Sequence, residues 1–171
     1  LRAAEASGVA AMRLAADKVV PTDIINRDSI ENALRVLLAL GGSTNAIIHL
    51  TAVAGRVGVD IPLAWLNELS DTTPVLVNLK PTGSHYMEDF FSAGGMGAVL
   101  REIKPLLNLD CMTVAGETLG ERLARDEGAW VDRDVISAFD DPVEPLGGLV
   151  ALFGSLAPEG AILKRSAADK N

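Results

Sequence analysis

Apolar positions along the chain recur mostly at helical spacing, broken by a few short continuous runs that suit buried strands. Residues 1–20 are rich in alanine, which favours a helix, and Pro21 ends it. Asp28 followed by Glu31 gives a capping-box-like start, after which Ile30, Ala33, Leu34, Leu37 and Leu38 form one apolar face. Val36 and Leu40 add a second face, so this helix is expected to be largely buried, with Gly41 and Gly42 ending it. Ser43, Thr44 and Asn45 can cap a following helix to about Val57, with Ile47, Leu50, Ala54 and Val57 inward and Asn45, His49 and Arg56 outward. A short helix over 63–69 follows Pro62. Residues 74–79 then read as a buried strand with the loop Lys80-Pro81-Thr82-Gly83 at its C-terminal end.

The second half continues this alternation. A short helix is expected over 86–91, a break at Gly94-Gly95, a helix over 96–107, a strand over 111–114 and a helix over 117–125. Helices alternating with short buried strands imply a layered α/β domain over 1–130. From Val131 onward, Pro142, Pro145, Gly147, Gly148, Gly154, Pro158 and Gly160 punctuate short apolar runs, which is β-rich spacing. A boundary is placed near 127–134, where Glu127-Gly128 interrupts the helix, so that 131–171 opens a second domain. No internal repeat or low-complexity tract is present.

Composition narrows the function classes. The 171 residues are 49% apolar and 22% charged, enough hydrophobic material for a core. A net charge of −8 with 15 scattered Lys and Arg argues against nucleic acid as a partner. No apolar run approaches the roughly 20 residues of a membrane span. The chain has no starting Met, and its first residues read as helix and not as a signal peptide, so it is expected to begin within a longer protein. A single cysteine, Cys111, cannot form an internal disulfide or hold a zinc or cluster alone, and a cytoplasmic location is expected.

Two loops invite a chemical reading. Gly41-Gly42-Ser43-Thr44-Asn45 puts close-approach glycines and polar donors at a helix start, where a carboxylate or phosphate could bind; any tight helix-to-helix corner needs the same residues. Lys80 in Lys80-Pro81-Thr82-Gly83 follows a strand, where open α/β sheets place ligands, and could reach an anionic substrate or stand solvated in a Pro-Gly turn. His49 and His85 lack metal-ligand spacing, although His49, four residues after Asn45, shares its helix face and could hydrogen-bond it. The adjacent pairs Glu88-Asp89 and Asp140-Asp141 point in different directions and make no metal clamp by themselves. No nucleophile elbow, phosphate loop or dinucleotide fingerprint occurs, and Cys111 suits a small buried hydrophobe.

At residues 39–46, Ala-Leu-Gly-Gly-Ser-Thr-Asn-Ala, the sequence resembles the family of dihydroxy-acid, 6-phosphogluconate and pentonate dehydratases. The resemblance extends in order through Pro21-Thr22-Asp23-Ile24-Ile25, Thr73-Pro74-Val75-Leu76, Leu79-Lys80-Pro81-Thr82-Gly83, Tyr86-Met87-Glu88-Asp89, Ala93-Gly94-Gly95 and Leu156-Ala157-Pro158-Glu159-Gly160-Ala161. It departs at Leu146, where Thr or Ser is usual, Phe153, where a basic residue is usual, and Ser155, where Asn is usual.

The resemblance implies a hydro-lyase that removes water from a 2,3-dihydroxy acid or sugar acid. It implies an iron–sulfur cluster held by three cysteines, a magnesium ion held by acidic residues and a modified Lys, and a Ser alkoxide as base. The cluster motifs are expected upstream of this stretch and the Ser motif downstream, so no catalytic residue carries over and the chain alone is expected to hold no cofactor and to be inactive. Ser43, Thr44, Asn45 and Lys80 are the expected cleft-lining residues. The rest of the scaffold is expected to be part of the N-terminal α/β dehydratase domain followed, from 131, by the start of a C-terminal β-barrel-like domain, in a homo-oligomeric parent. Residues 83–91 resemble the pentonate dehydratases more than the biosynthetic branch, where a Lys or similar residue and a Val tend to stand in the places of His85 and Tyr86; His and Tyr can serve a pentonate's extra hydroxyls, which makes L-arabinonate or D-xylonate the expected substrate. The alternatives are His85 and Tyr86 as packing residues in a dihydroxy-acid dehydratase of branched-chain amino-acid biosynthesis, and a non-catalytic paralogous α/β module.

Overall fold

The computed structural model describes residues 2–125 and 127–168. It is mixed α/β and mostly helical. The helices are α1 (Arg2–Ala16), α2 (Pro21–Ile24), α3 (Arg27–Ala39), α4 (Thr44–Arg56), α5 (Leu63–Ser70), α6 (Met87–Ser92), α7 (Gly95–Glu102) and α8 (Leu119–Arg125), followed by the strands β1 (Leu149–Gly154) and β2 (Ala157–Lys164).

α3 is the organising helix, and its start differs from expectation. Instead of Asp28 and Glu31, Asn26 and Ser29 form the reciprocal cap: Ser29 N donates to Asn26 Oδ1 at 3.0 Å and Asn26 N to Ser29 Oγ at 2.9 Å. An Asn one residue before the helix can satisfy the free N–H groups of its first turn, which Asp28, already inside the helix, cannot. Both expected apolar faces of α3 are used. Ile30, Leu34 and Leu38 pack with Ile47, Trp65 and Leu66 of α4 and α5. Ala39, with Val36 and Leu40 beside it, packs with Leu76, Val99 and Ile136 in a second core.

Two expected strands are absent as sheet strands, which corrects the layered α/β reading. Residues 74–77 are buried and extended, but their partners are loops: Val75 bridges Glu144, Val77 bridges Ile136, and Leu79 bridges His85. The backbone groups of the segment are met by a helix end and irregular chain, as in the 2.9 Å bond from Leu76 N to Ala39 O and the 2.8 Å bond from Ser137 N to Leu76 O. Similarly, 111–114 supplies one bridge, Met112 with Thr118, across a turn. Short apolar runs report burial more directly than they report strand pairing.

The only sheet among the described residues is the antiparallel hairpin β1–β2, with Leu149 opposite Lys164 and Ala151 opposite Ile162, and an irregularity between Leu152 and Gly154. It lies within the expected β-rich region. Asn67 of α5 latches it by donating from Nδ2 to Ala151 O at 2.9 Å and accepting from Ala151 N at Oδ1 at 2.7 Å. Ser70 Oγ, fully buried, donates to Leu149 O at 2.7 Å.

Candidate functional site

Residues 78–89 form a loop built by its own polar groups. Asn78 sits at its centre: its Oδ1 accepts from Ser84 N at 2.9 Å and its Nδ2 donates to Asp134 O at 3.3 Å. Lys80 N donates to His85 O at 2.9 Å, His85 N to Asn78 O at 3.2 Å and Gly83 N to Leu79 O at 2.7 Å, so both ends of the loop are tied together. The Lys80–Pro81 peptide is cis. A side chain at position 83 would meet the backbone of residues 78 and 79, 2.6 Å from Leu79 N, so the fold requires glycine there.

This framework presents Lys80 against Tyr86. The ammonium lies 4.1 Å from the centroid of the Tyr86 ring, and Nζ donates to the phenol oxygen at 2.6 Å. Tyr86 precedes α6, and its backbone N–H donates to Asp89 Oδ2 at 2.8 Å. The same carboxylate oxygen stands 3.8 Å from His85 Nδ1. Tyr86, Met87, Glu88 and Asp89 line a surface hollow of about 430 Å³. The spacing of Lys80 and Tyr86 across a Pro-Gly turn gave no sign of this pairing, because cation–ring stacking depends on how the loop closes.

The corner at Gly41–Asn45 has a structural use. Gly41 adopts φ of 58°, and a side chain at Gly148 would lie 2.6 Å from Gly41 Cα, so the corner is where the hairpin entry packs on the end of α3. Ser43 caps α4, its Oγ accepting from Asn45 N at 3.2 Å. Ser43 and Asn45 are exposed and Thr44 half-buried. Among the described residues no side-chain hydrogen bond joins Asn45 to His49, and none joins this corner to Lys80. The corner leaves α3 beside Leu76, while Lys80 lies beyond the other end of the same extended segment.

Cys111 is buried, and its Sγ accepts from Asn32 Nδ2 at 3.5 Å. Burial pushes its thiol above the ordinary range, and the carboxylates of Asp28, Asp110 and Glu31 add to this. A protonated buried thiol is a poor ligand. No group of three His, Cys, Asp or Glu side chains able to hold a metal occurs among the described residues. Among the described residues no set of side chains is placed to hold an iron–sulfur cluster or a magnesium ion by itself. No helix among them is long and apolar enough to cross a membrane.

Residues 1–122 match the dihydroxy-acid/6-phosphogluconate dehydratase N-terminal family, and the chain belongs to that family. It is 44% identical over 164 residues to a dihydroxy-acid dehydratase of Dehalococcoides mccartyi (strain CBDB1), covering 96% of this chain and 29% of that protein. Over 169 residues it is 45% identical to a dihydroxy-acid dehydratase of Carboxydothermus hydrogenoformans, covering 98% of this chain and 30% of that one. A dihydroxy-acid dehydratase of Cytophaga hutchinsonii is 42% identical over 161 residues, 93% of this chain and 29% of its own length. The chain thus spans less than a third of these relatives.

Proposed function

We propose that the complete protein is a dihydroxy-acid dehydratase, a hydro-lyase acting on a 2,3-dihydroxy acid of the branched-chain type. The observation that carries this is the family match over 1–122, joined to relatives named dihydroxy-acid dehydratase at 42–45% identity. In the reaction a proton leaves C2 and the hydroxyl leaves C3 as water, and the resulting enol becomes a 2-keto acid lacking the C3 oxygen. In the complete protein an iron–sulfur cluster and a magnesium ion, held by residues other than those described here, would supply the Lewis acid for the departing oxygen. This chain contributes scaffold and, through the loops at 43–45 and 80–86, surface toward the substrate. A division near residue 130, with the hairpin opening a β-barrel-like domain, belongs to the same proposal, as do a homo-oligomeric state and a cytoplasmic location.

The pentonate preference expected from residues 83–91 gives way here, since the similar proteins carry the dihydroxy-acid name. In addition, the phenol oxygen of Tyr86 already accepts from Lys80, and His85 stands beside Asp89, so both polar groups have internal partners. Comparison of kcat/KM for 2,3-dihydroxyisovalerate, L-arabinonate and D-xylonate on the complete, cofactor-loaded protein tests the assignment. Dihydroxyisovalerate is expected to lead by about tenfold or more, about 1.4 kcal/mol of transition-state discrimination. A lead of that size for either pentonate would reverse the substrate assignment.

A further inference from the structure

We propose that the β1–β2 hairpin is a docking surface for later strands of the same polypeptide, which add at the free edge of β2 and cover the hairpin's outward face, while α5 closes the edge of β1. The occupant rests on the reading of the complete protein as a longer dehydratase; the edge and the face rest on the hairpin itself.

The two edges differ. Arg165 N donates to Gly148 O at 2.8 Å, and bonded pairs alternate along an antiparallel ladder. With Leu149 opposite Lys164, the backbone groups of Leu149, Ala151 and Ile162 and the Lys164 N–H therefore turn away from the partner strand. On β1 this edge is occupied by α5. Ser70 Oγ donates to Leu149 O at 2.7 Å, and the Asn67 amide meets both Ala151 N and Ala151 O, as a neighbouring strand would. On β2 the Ile162 N–H and C=O and the Lys164 N–H have no partner among the described residues. An open edge of that kind is a template for a further strand.

The two faces point the same way. Leu149 and Ala151 are buried against the helices, and Ile162 packs on the same core as Leu149. The opposite face presents Val150, Leu152, Ala161 and Leu163. A sheet with one side in water places polar residues on that side. Here every one is apolar, although Leu152 is 49% exposed and Leu163 37%. Strands that are apolar on both sides suit the wall of a closed or doubly covered sheet, whose interior this face lines.

The occupant is the chain that follows these residues in the complete protein. This chain covers only 29–30% of its relatives, and the N-terminal family match ends at residue 122, ahead of the hairpin. A two-stranded hairpin is too small to stand as a domain, so the region needs further strands. The chain leaves the hairpin from Lys164, at the end of the strand whose edge is open, and strands consecutive in sequence usually pair. The edge that α5 occupies offers no such place.

The test uses the complete, cofactor-loaded protein. Residue-resolved hydrogen exchange on the unmodified protein is expected to show the Ile162 and Lys164 amides slowed by about 100-fold or more relative to an unstructured peptide. In Asn67→Ala the Ala151 amide should exchange about tenfold faster or more, while Ile162 and Lys164 keep their protection. The photoreactive variant Leu163→p-benzoylphenylalanine is expected to cross-link within one polypeptide to a segment beyond residue 171. Ile162 and Lys164 amides exchanging within about tenfold of the unstructured rate overturn the proposal, and that measurement needs no substitution. So do cross-links formed only between two copies, or only to chain that precedes the hairpin. Unchanged protection of Ala151 in Asn67→Ala means that a strand pairs on β1, which reverses the assigned edge. If the complete protein turns over no 2,3-dihydroxy acid while exchange and cross-links come out as expected, the substrate assignment fails and the docking edge stands.

Discussion

Cys111, Asn32 and Glu121 are three polar side chains whose surroundings fix their behaviour. Burial first, and then the nearby carboxylates of Asp28, Asp110 and Glu31, raises the Cys111 thiol above its ordinary value, so it stays protonated at neutral pH. Its alkylation by iodoacetamide at neutral pH should be slow in the folded protein and accelerate on denaturation; a native rate matching free cysteine would contradict this. Asn32, also buried, donates from Nδ2 to Asn108 O at 3.0 Å and accepts from Asn108 N at Oδ1 at 2.8 Å, joining α3 to the 107–111 turn. Asn32→Ala leaves both backbone groups of Asn108 without that partner and is expected to cost about 1–3 kcal/mol in denaturant unfolding. At the exposed start of α8, Glu121 accepts from Thr118 N at 2.8 Å and from its hydroxyl at 3.2 Å, and the backbone bond first and the hydroxyl second hold its carboxyl below the usual range. A lowered folded pKa means the stabilisation is complete above the ordinary carboxylate range and is lost as pH falls through the lowered value. The stability difference between the parent and Glu121→Gln should therefore shrink on acidification through that range, and a pH-independent difference would rule the cap out as its source.

Among elements, the junction of α3, α5 and the β1–β2 hairpin carries the most constraint. Gly41 and Gly148 approach so closely that a methyl group at 148 would sit 2.6 Å from Gly41 Cα. Gly147 N also donates to Ser70 O at 2.8 Å, and Arg165 N to Gly148 O at 2.8 Å. Gly148→Ala must displace either the corner after α3 or the hairpin, and a loss of about 1–3 kcal/mol is expected, as for other overpacked sites. Asn67→Leu should release the hairpin locally: faster amide exchange at Ala151, with exchange in α3 unchanged, would be the signature. Equal acceleration in both would mean that the hairpin and the helices open as one unit.

At the scale of the molecule, large apolar side chains remain outside the two cores. Val9 and Met12 of α1 are 69% and 75% exposed, Phe91 is 84% exposed, and Leu152, Phe153 and Leu156 stand out from the hairpin. Exposed apolar groups and free strand edges on this scale favour association. The 171-residue chain by itself is expected to self-associate or to bind a hydrophobic dye, by light scattering and fluorescence. A monodisperse monomer with a sharp cooperative melt would show that these faces need no cover.

Helical periodicity and punctuation by Pro and Gly were enough to place α3, α4, α5 and the β-rich end, because amphipathic spacing and chain breakers act within a few residues. The family was legible for the same reason: its strings, from Gly41-Gly42-Ser43-Thr44-Asn45 to Lys80-Pro81-Thr82-Gly83, are local. Local pattern could not say that Asn26 and Ser29, and not Asp28 and Glu31, cap α3, since that depends on where the backbone leaves extended geometry. Nor could it show that residues 74–79 pair with loops and not with a sheet, since strand partners are chosen by long-range packing. Only the tertiary structure turned Gly148 toward Gly41 and set Lys80 on Tyr86, because a contact between distant or loop-borne side chains exists only once the backbone between them has closed.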